Sequence, residues 1–185
     1  MRPGDFVGRC GSDYCVAYTC MMIKEDFISF LTCGRLTHFP YGIEKVSVIK
    51  MLGEPEEEIE DVESSMLKYD QTEFYFYKGD KDSNCLAGIL IQPIPVAANR
   101  GNLDMDYSWL NKTLDYHQIK SLLVTDGIGF RESTSGRRDA AKVLITIGEV
   151  TFFFFETPNR INKVGRFIPI EEFEQLNHVN QVNQK

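Results

Sequence analysis

Two stretches of the chain, residues 66–91 and 144–169, carry one apolar pattern at a constant separation, with Phe74-Tyr75-Phe76-Tyr77 falling on Phe152-Phe153-Phe154-Phe155 without a gap. Around these anchors Met66 and Leu67 meet Leu144 and Ile145, Leu86 meets Val164, and Ile89-Leu90 meet Phe167-Ile168. Short apolar runs rich in aromatic and branched residues, bounded by polar turn residues, are the signature of strands. Each stretch therefore predicts a three-stranded meander. The first has strands near 66–69, 72–77 and 86–91 with a turn at Asp70-Gln71. The second has strands near 141–147, 150–155 and 163–168 with a turn at Gly148-Glu149, where Gly148 is expected to supply the positive φ of a tight hairpin. The aromatic runs are continuous rather than alternating, so both faces of those strands should be at least partly covered.

Helical spacing precedes each meander. Ile23, Phe27, Ile28, Phe30 and Leu31 predict a short helix over about 24–33 closed by Gly34. Ile43, Val46, Ile49 and Met51-Leu52 predict a second over about 43–52, closed by Gly53 and Pro55. Leu114, Ile119, Leu122 and Leu123 predict a third over about 112–124, stopped by Asp126-Gly127. Pro93, Pro95 and Asn99-Arg100-Gly101-Asn102 mark the connecting loop. Phe130 to Thr134 reads as a further strand, and Glu171 to Leu176 as a helical turn or two.

The resulting fold class is α+β: a twisted, mainly antiparallel sheet built from two similar units, each a helix followed by a three-stranded meander, with the helices packed on the sheet. Residues 21–176 form one domain of two pseudo-repeats, about 43–92 and 113–169. Residues 1–20 read as a poorly ordered extension ahead of Met21-Met22, and 177–185 as a disordered polar tail.

At 185 residues the chain can bury enough apolar surface to fold without staples. A net charge of −7 opposes binding to nucleic-acid phosphates, which is driven by Lys and Arg displacing counterions. No stretch approaches the ~20 apolar residues that cross a bilayer, and the first residues lack a secretion-signal plan, which points to the cytoplasm. The five cysteines are odd in number, and Cys10, Cys15 and Cys20 are spaced unlike zinc ligands, so they read as thiols.

Phosphate-cradling glycine loops, His-Glu-x-x-His and Gly-x-Ser-x-Gly are all missing. His38, between Thr37 and Phe39, reads as a packing residue, because a general base must lie within reach of a reacting proton. Asp115 and His117 are too close in sequence to face each other on a helix. Cys85 has Asp80 and Asp82 opposing the positive charge that activates a thiolate. These readings name no catalytic residue, no metal site and no cofactor. They favour a protein that is not an enzyme.

The concentrated charge lies elsewhere. Glu54, Glu56, Glu57, Glu58, Glu60, Asp61 and Glu63 form an acidic run that lacks the oxygen spacing of an EF-hand loop and reads as a solvated loop or frayed helix. Clustered carboxylates can also steer a cationic protein to its dock. Glu56, Glu57, Glu58, Glu60, Asp61 and Glu63 are accordingly the candidate partner-binding residues, with Tyr69, Tyr75, Tyr77, Tyr107 and Trp109 as candidate aromatic anchors.

The succession Val48-Ile49-Lys50-Met51-Leu52-Gly53-Glu54-Pro55, then Met66-Leu67-Lys68-Tyr69, then Thr72-Glu73-Phe74-Tyr75-Phe76, resembles a pattern in small, largely uncharacterised bacterial proteins. There a helix ending in Leu-Gly-x-Pro precedes Lys-Tyr-Gly and Leu-Glu-Phe-x-Phe. Some of those proteins look like immunity proteins encoded near polymorphic or contact-dependent toxins. This chain carries Asp70 where the pattern favours glycine and Thr72 where it favours an aliphatic residue. The resemblance implies a cytoplasmic protein that covers a basic protein toxin, and it carries no catalytic positions. The rival readings are a small-molecule-binding or enzymatic module with an aromatic pocket between the two units near His117 or Arg131, and a subunit that pairs with itself through a strand edge.

Overall fold

The computed structural model describes residues 22–78, 84–93, 102–105, 110, 114–134, 142–155, 160–169 and 171–175. The expectations for 1–20, 177–185, Tyr107 and Trp109 lie outside these residues. In chain order the elements are β1 (Ile23–Glu25), α1 (Phe27–Cys33), α2 (Lys45–Leu52), β2 (Glu57–Glu60), β3 (Ser64–Tyr69), β4 (Thr72–Lys78) and β5 (Asn84–Ile91). They continue with β6 (Leu103–Met105), α3 (Tyr116–Thr125), β7 (Phe130–Thr134), β8 (Lys142–Thr146), β9 (Thr151–Phe154) and β10 (Ile161–Phe167). A helical segment at 171–175, α4, follows.

The fold is α+β. Eight strands form one antiparallel sheet in the order β2-β3-β4-β5-β10-β9-β8-β7, so two four-stranded meanders meet where β5 pairs with β10. The fourth strand of the second meander, β7, is the one expected at Phe130 to Thr134, whereas the fourth strand of the first, β2, lies where a loop or frayed helix is expected. β2 and β7 occupy the two edges.

Alternation along the strands sends Leu67 and Tyr69, Phe74 and Phe76, Leu144, Phe152 and Phe154 to one face. There they share a single buried core with Phe27, Phe30 and Leu31 of α1, Val48 and Leu52 of α2, and Ile119 and Leu123 of α3. In β5 the register shifts as Tyr75 pairs with Gly88 while Phe76 pairs with Leu86. The extra residue, Ala87, lets Leu86 and Ile89 both reach the helix-bearing face. On the other face Tyr75 packs on Phe167, and Tyr77 packs on Phe173 of α4. Both faces are partly covered, as the continuous aromatic runs require.

Several local expectations are corrected. The first helix begins at Phe27, because Asp26 caps it by accepting from the Ile28 amide at 3.0 Å. Residues 23–25 instead pair in parallel with β6. In α2 it is Val48 that is buried, while Val46 points to solvent. The third helix starts behind a capping box made by Asp115 and Gln118. The acidic run is neither loop nor frayed helix at its centre, since Glu57 to Glu60 pair with β3 as a strand.

The second hairpin turn also differs from the reading. Ile147, Gly148 and Glu149 all lie between Thr146 and Val150, and the positive φ, 60°, belongs to Glu149. Gly148 is needed for another reason: a Cβ there would sit 2.6 Å from the Gly34 nitrogen and 2.7 Å from the Leu31 oxygen. The first turn has two residues, with Asp70 at φ 52°. That additional residue means Leu67 corresponds in facing to Leu144 rather than to Ile145, so the gap-free alignment does not hold through the turn.

Candidate partner-binding edge

α2 delivers the chain to the acidic edge. Gly53, at φ 82°, ends the helix and returns its amide to the Ile49 carbonyl. The next free carbonyls are answered by side chains: Asn102 Nδ2 donates to the Leu52 oxygen at 3.0 Å and the Tyr69 hydroxyl to the Gly53 oxygen at 2.8 Å. Burial, then the carboxylates of Glu54 and Glu58, hold the Tyr69 phenol above its ordinary pKa.

Strand β2 then runs antiparallel to β3 with Glu57 opposite Lys68, Glu58 opposite Leu67, Ile59 opposite Met66 and Glu60 opposite Ser65. Just beyond it, the Asp61 amide donates to the Ser64 carbonyl at 2.8 Å. The turn is held by Lys78, whose ammonium reaches the Asp61 carbonyl at 3.1 Å and whose amide reaches that of Glu63 at 3.0 Å. All six candidate residues, Glu56, Glu57, Glu58, Glu60, Asp61 and Glu63, are exposed. Two apolar side chains stand among them, Ile59 at 49% and Val62 at 82% exposure.

Strand alternation splits the carboxylates between the faces. Glu58 and Glu60 lie on the helix-bearing side, where Lys45 at the start of α2 reaches between them, at 2.5 Å from Glu58 and in direct contact with Glu60. Burial alone would pull the Lys45 ammonium down, but the two hydrogen bonds and charges outweigh it and hold its pKa above the ordinary lysine value. Glu57 lies on the other side, 3.9 Å from Lys68. Lys45 thus ties an edge strand to a helix, and its role is invisible in the sequence because the pairing spans a helix, a turn and a strand. A lysine at the head of a helix, against the dipole, is the one local hint that its charge is answered elsewhere.

The other candidates stand apart from this edge. His117 is on α3, stacked edge-on against Tyr116 and bordering a depression of about 420 Å³ with Leu114, Gln118 and Leu122. Asp115 is occupied as the helix cap, so the two do not pair. Arg131 on β7 borders a second depression of about 220 Å³, and its guanidinium forks onto Glu149 at 2.6 and 2.5 Å. These depressions lie on α3 and on the β7–β8 side, not between the two meanders. His38 is bound through Nδ1 to Glu25 at 3.0 Å, and that buried carboxylate also accepts the Thr37 and His38 amides. Cys85 is buried within β5.

Sequence reasoning missed two buried carboxylates. Glu25 fixes the 37–38 turn, as described. Glu73, 5% exposed on the sheet face away from α1 to α3, accepts from the Tyr75 hydroxyl at 2.8 Å and from the Gln92 amide, with Lys163 3.7 Å away. Burial and this bond hold the Tyr75 phenol above its usual range. Glutamates inside apolar patterns are the one signal that could have found them. Among the described residues no group of three or more His, Cys, Asp or Glu side chains is placed to hold a metal ion, and no helix is long and apolar enough to cross a membrane.

No family model matches the chain, no curated protein matches it, and no solved structure matches its fold.

Proposed function

We propose that this is a non-enzymatic, cytoplasmic interaction protein of bacterial type whose acidic edge docks a basic protein. In its sharpest form it is an immunity protein that neutralises a cognate toxin by covering the toxin's active site. The observation that carries the reading is the edge position of β2: Glu57, Glu58 and Glu60 stand on a strand exposed along its whole length, with Glu54, Glu56, Asp61 and Glu63 flanking it and Lys45 and Lys68 facing it. An excess of negative potential on an uncovered surface accelerates encounter with a cation and fixes its orientation. The sequence resemblance over 43–92 to immunity-like proteins points the same way.

The architecture supports a related reading, that the two meanders are copies of one unit. The strand order is palindromic about the β5–β10 pair, and Phe74 with Phe76 and Phe152 with Phe154 enter one core from equivalent strands. A helix stands ahead of each copy. Duplication would explain why the molecule has two similar edges, of which the β2 edge holds the concentrated acid.

The test is to mix the protein with basic toxins encoded by neighbouring genes and measure both complex formation and residual toxin activity. A partner from this panel should bind, lose activity and be released as ionic strength rises. Reversing Glu56, Glu57, Asp61 and Glu63 to lysine, which spares the Lys45 bridge, should abolish the complex. Silence across the panel would defeat the toxin reading, and undiminished binding by the reversed variant would defeat this edge as the dock.

A further inference from the structure

We infer that β2 receives its partner by strand addition, and that the incoming segment is an extended basic–apolar–basic stretch of another protein; this rests on the reading of the β2 edge as a docking surface. The main-chain direction supplies the first argument. Asp61 and Ser64 are a hydrogen-bonded pair, and such pairs alternate along an antiparallel ladder. With the register fixed from Glu57–Lys68 to Glu60–Ser65, Glu57 and Ile59 direct their amide and carbonyl groups at β3. Glu58 and Glu60 direct theirs outward. Every residue of β2 is exposed, and among the described residues only β3 pairs with it. A strand laid beside the outward groups would add to the sheet in the manner of β-augmentation.

The side chains state what that strand must look like. Neighbouring strands place facing residues on the same side of the sheet. Opposite Glu58 and Glu60, on the helix-bearing side, an added strand would set two residues separated by one position. Cations suit both places, since one lysine, Lys45, is shared between two carboxylates there. The residue between them would fall on the opposite side, beside Ile59, which is 49% exposed. An apolar side chain fits that position. The edge therefore selects Lys/Arg–apolar–Lys/Arg in extended form, and opposes an acidic strand, including a second copy of β2 itself.

A short synthetic peptide centred on Lys-Val-Lys provides the probe, with two variants of the full chain. Glu58→Gln removes a charge but keeps the outward amide. Glu58→Pro removes the charge and that amide, and leaves the inward ladder to β3 intact because the Glu58 amide does not serve it. Strand addition predicts that the peptide binds, slows hydrogen exchange at the Glu58 and Glu60 amides, loses about threefold in affinity with Glu58→Gln, and loses about tenfold or more with Glu58→Pro. If Glu58→Pro does not fold, a peptide methylated on the amides that face β2 takes its place and should bind about tenfold more weakly than the parent. Equal losses with Gln and Pro, or equal binding by the methylated peptide, would overturn strand addition while leaving charge-based docking standing. Failure of the peptide to bind while a whole basic toxin binds the edge would do the same, whereas silence from both peptide and toxins would overturn the two readings together.

Discussion

The hydroxyl of Thr146 donates to the carbonyl of Leu31 at 2.6 Å, in full burial, joining the last turn of α1 to the end of β8. The same oxygen accepts the Val150 amide at 3.3 Å, so one side chain closes the β8–β9 hairpin and caps a helix. Replacing Thr146 with valine keeps the shape and removes both bonds. The Leu31 carbonyl would keep only the Gly148 amide at 3.3 Å. A loss of about 1–2 kcal/mol is expected in chemical denaturation, with serine retaining most of the stability.

Gly148 is the second half of that junction. Alanine would push a methyl into the Leu31 oxygen and Gly34 nitrogen, which are backbone atoms and cannot swing aside. Gly148→Ala should cost about 1–3 kcal/mol. At Gly129, where an added Cβ would meet Ile147 at an ordinary 3.7 Å, the same change should stay within about 0.5 kcal/mol. Equal melting temperatures for the two variants would contradict the close approach.

Asp70 carries two burdens at once, a left-handed backbone and a carboxylate whose pKa is raised by burial and then by Glu56. A raised acid binds protons more readily in the folded state, so its ionisation costs stability as pH climbs through the folded value. Asp70→Asn keeps the backbone preference and removes the charge. The variant should be more stable than the parent at neutral pH by roughly 0.5 kcal/mol, a small figure because the carboxylate is only partly buried. The difference should vanish below the ordinary aspartate range.

Glu149 and Glu132 should behave in the opposite sense. The Arg131 guanidinium holds Glu149 below the ordinary carboxylate range, and hydrogen bonds from Lys120 and Tyr116 do the same to Glu132. Their contribution is present above the unfolded pKa and lost as pH falls through the folded one. Side-chain carbon titrations should place both midpoints low. Arg131→Gln should return Glu149, and not Glu132, towards the usual value. The partner phenol, Tyr116, is pushed up to about 12 by burial and by Glu132, and Glu132→Gln should lower it.

Lys45 is predicted to govern how firmly the acidic edge is held. Lys45→Met should leave the core intact, because Val48 and Leu52 make the buried contacts of α2. It should still speed amide exchange at Glu57 and Ile59, whose ladder bonds are otherwise steadied by the bridge to Glu58 and Glu60. Unchanged exchange there would show that the bridge does not order the strand.

What could be read from the sequence follows the range of the forces involved. The helix at 45–52 was legible because Gly53 and Pro55 end it locally, and the paired aromatic runs were legible because burial imposes a period. The two-residue turn at Asp70-Gln71 was found for the same reason. The acidic strand was not: like charges favour solvation locally, and only pairing with β3 and the reach of Lys45 make Glu57 to Glu60 extended. Gly148 misled because glycine signals a turn, while its indispensable property here is its missing side chain beside α1. The candidate edge was located by charge alone, and its main-chain direction could come only from register.

The β5–β10 pairing sets a condition on how this molecule is made. β5 is apolar on both flanks from Cys85 to Ile91, yet its neighbour β10 is the last strand of the sheet to leave the ribosome. Until then the first meander must wait with a greasy margin open to any passing ribbon, and closure demands a contact between distant parts of the chain. A late, slow step in refolding, in which β10 docks on β5, is the expected consequence.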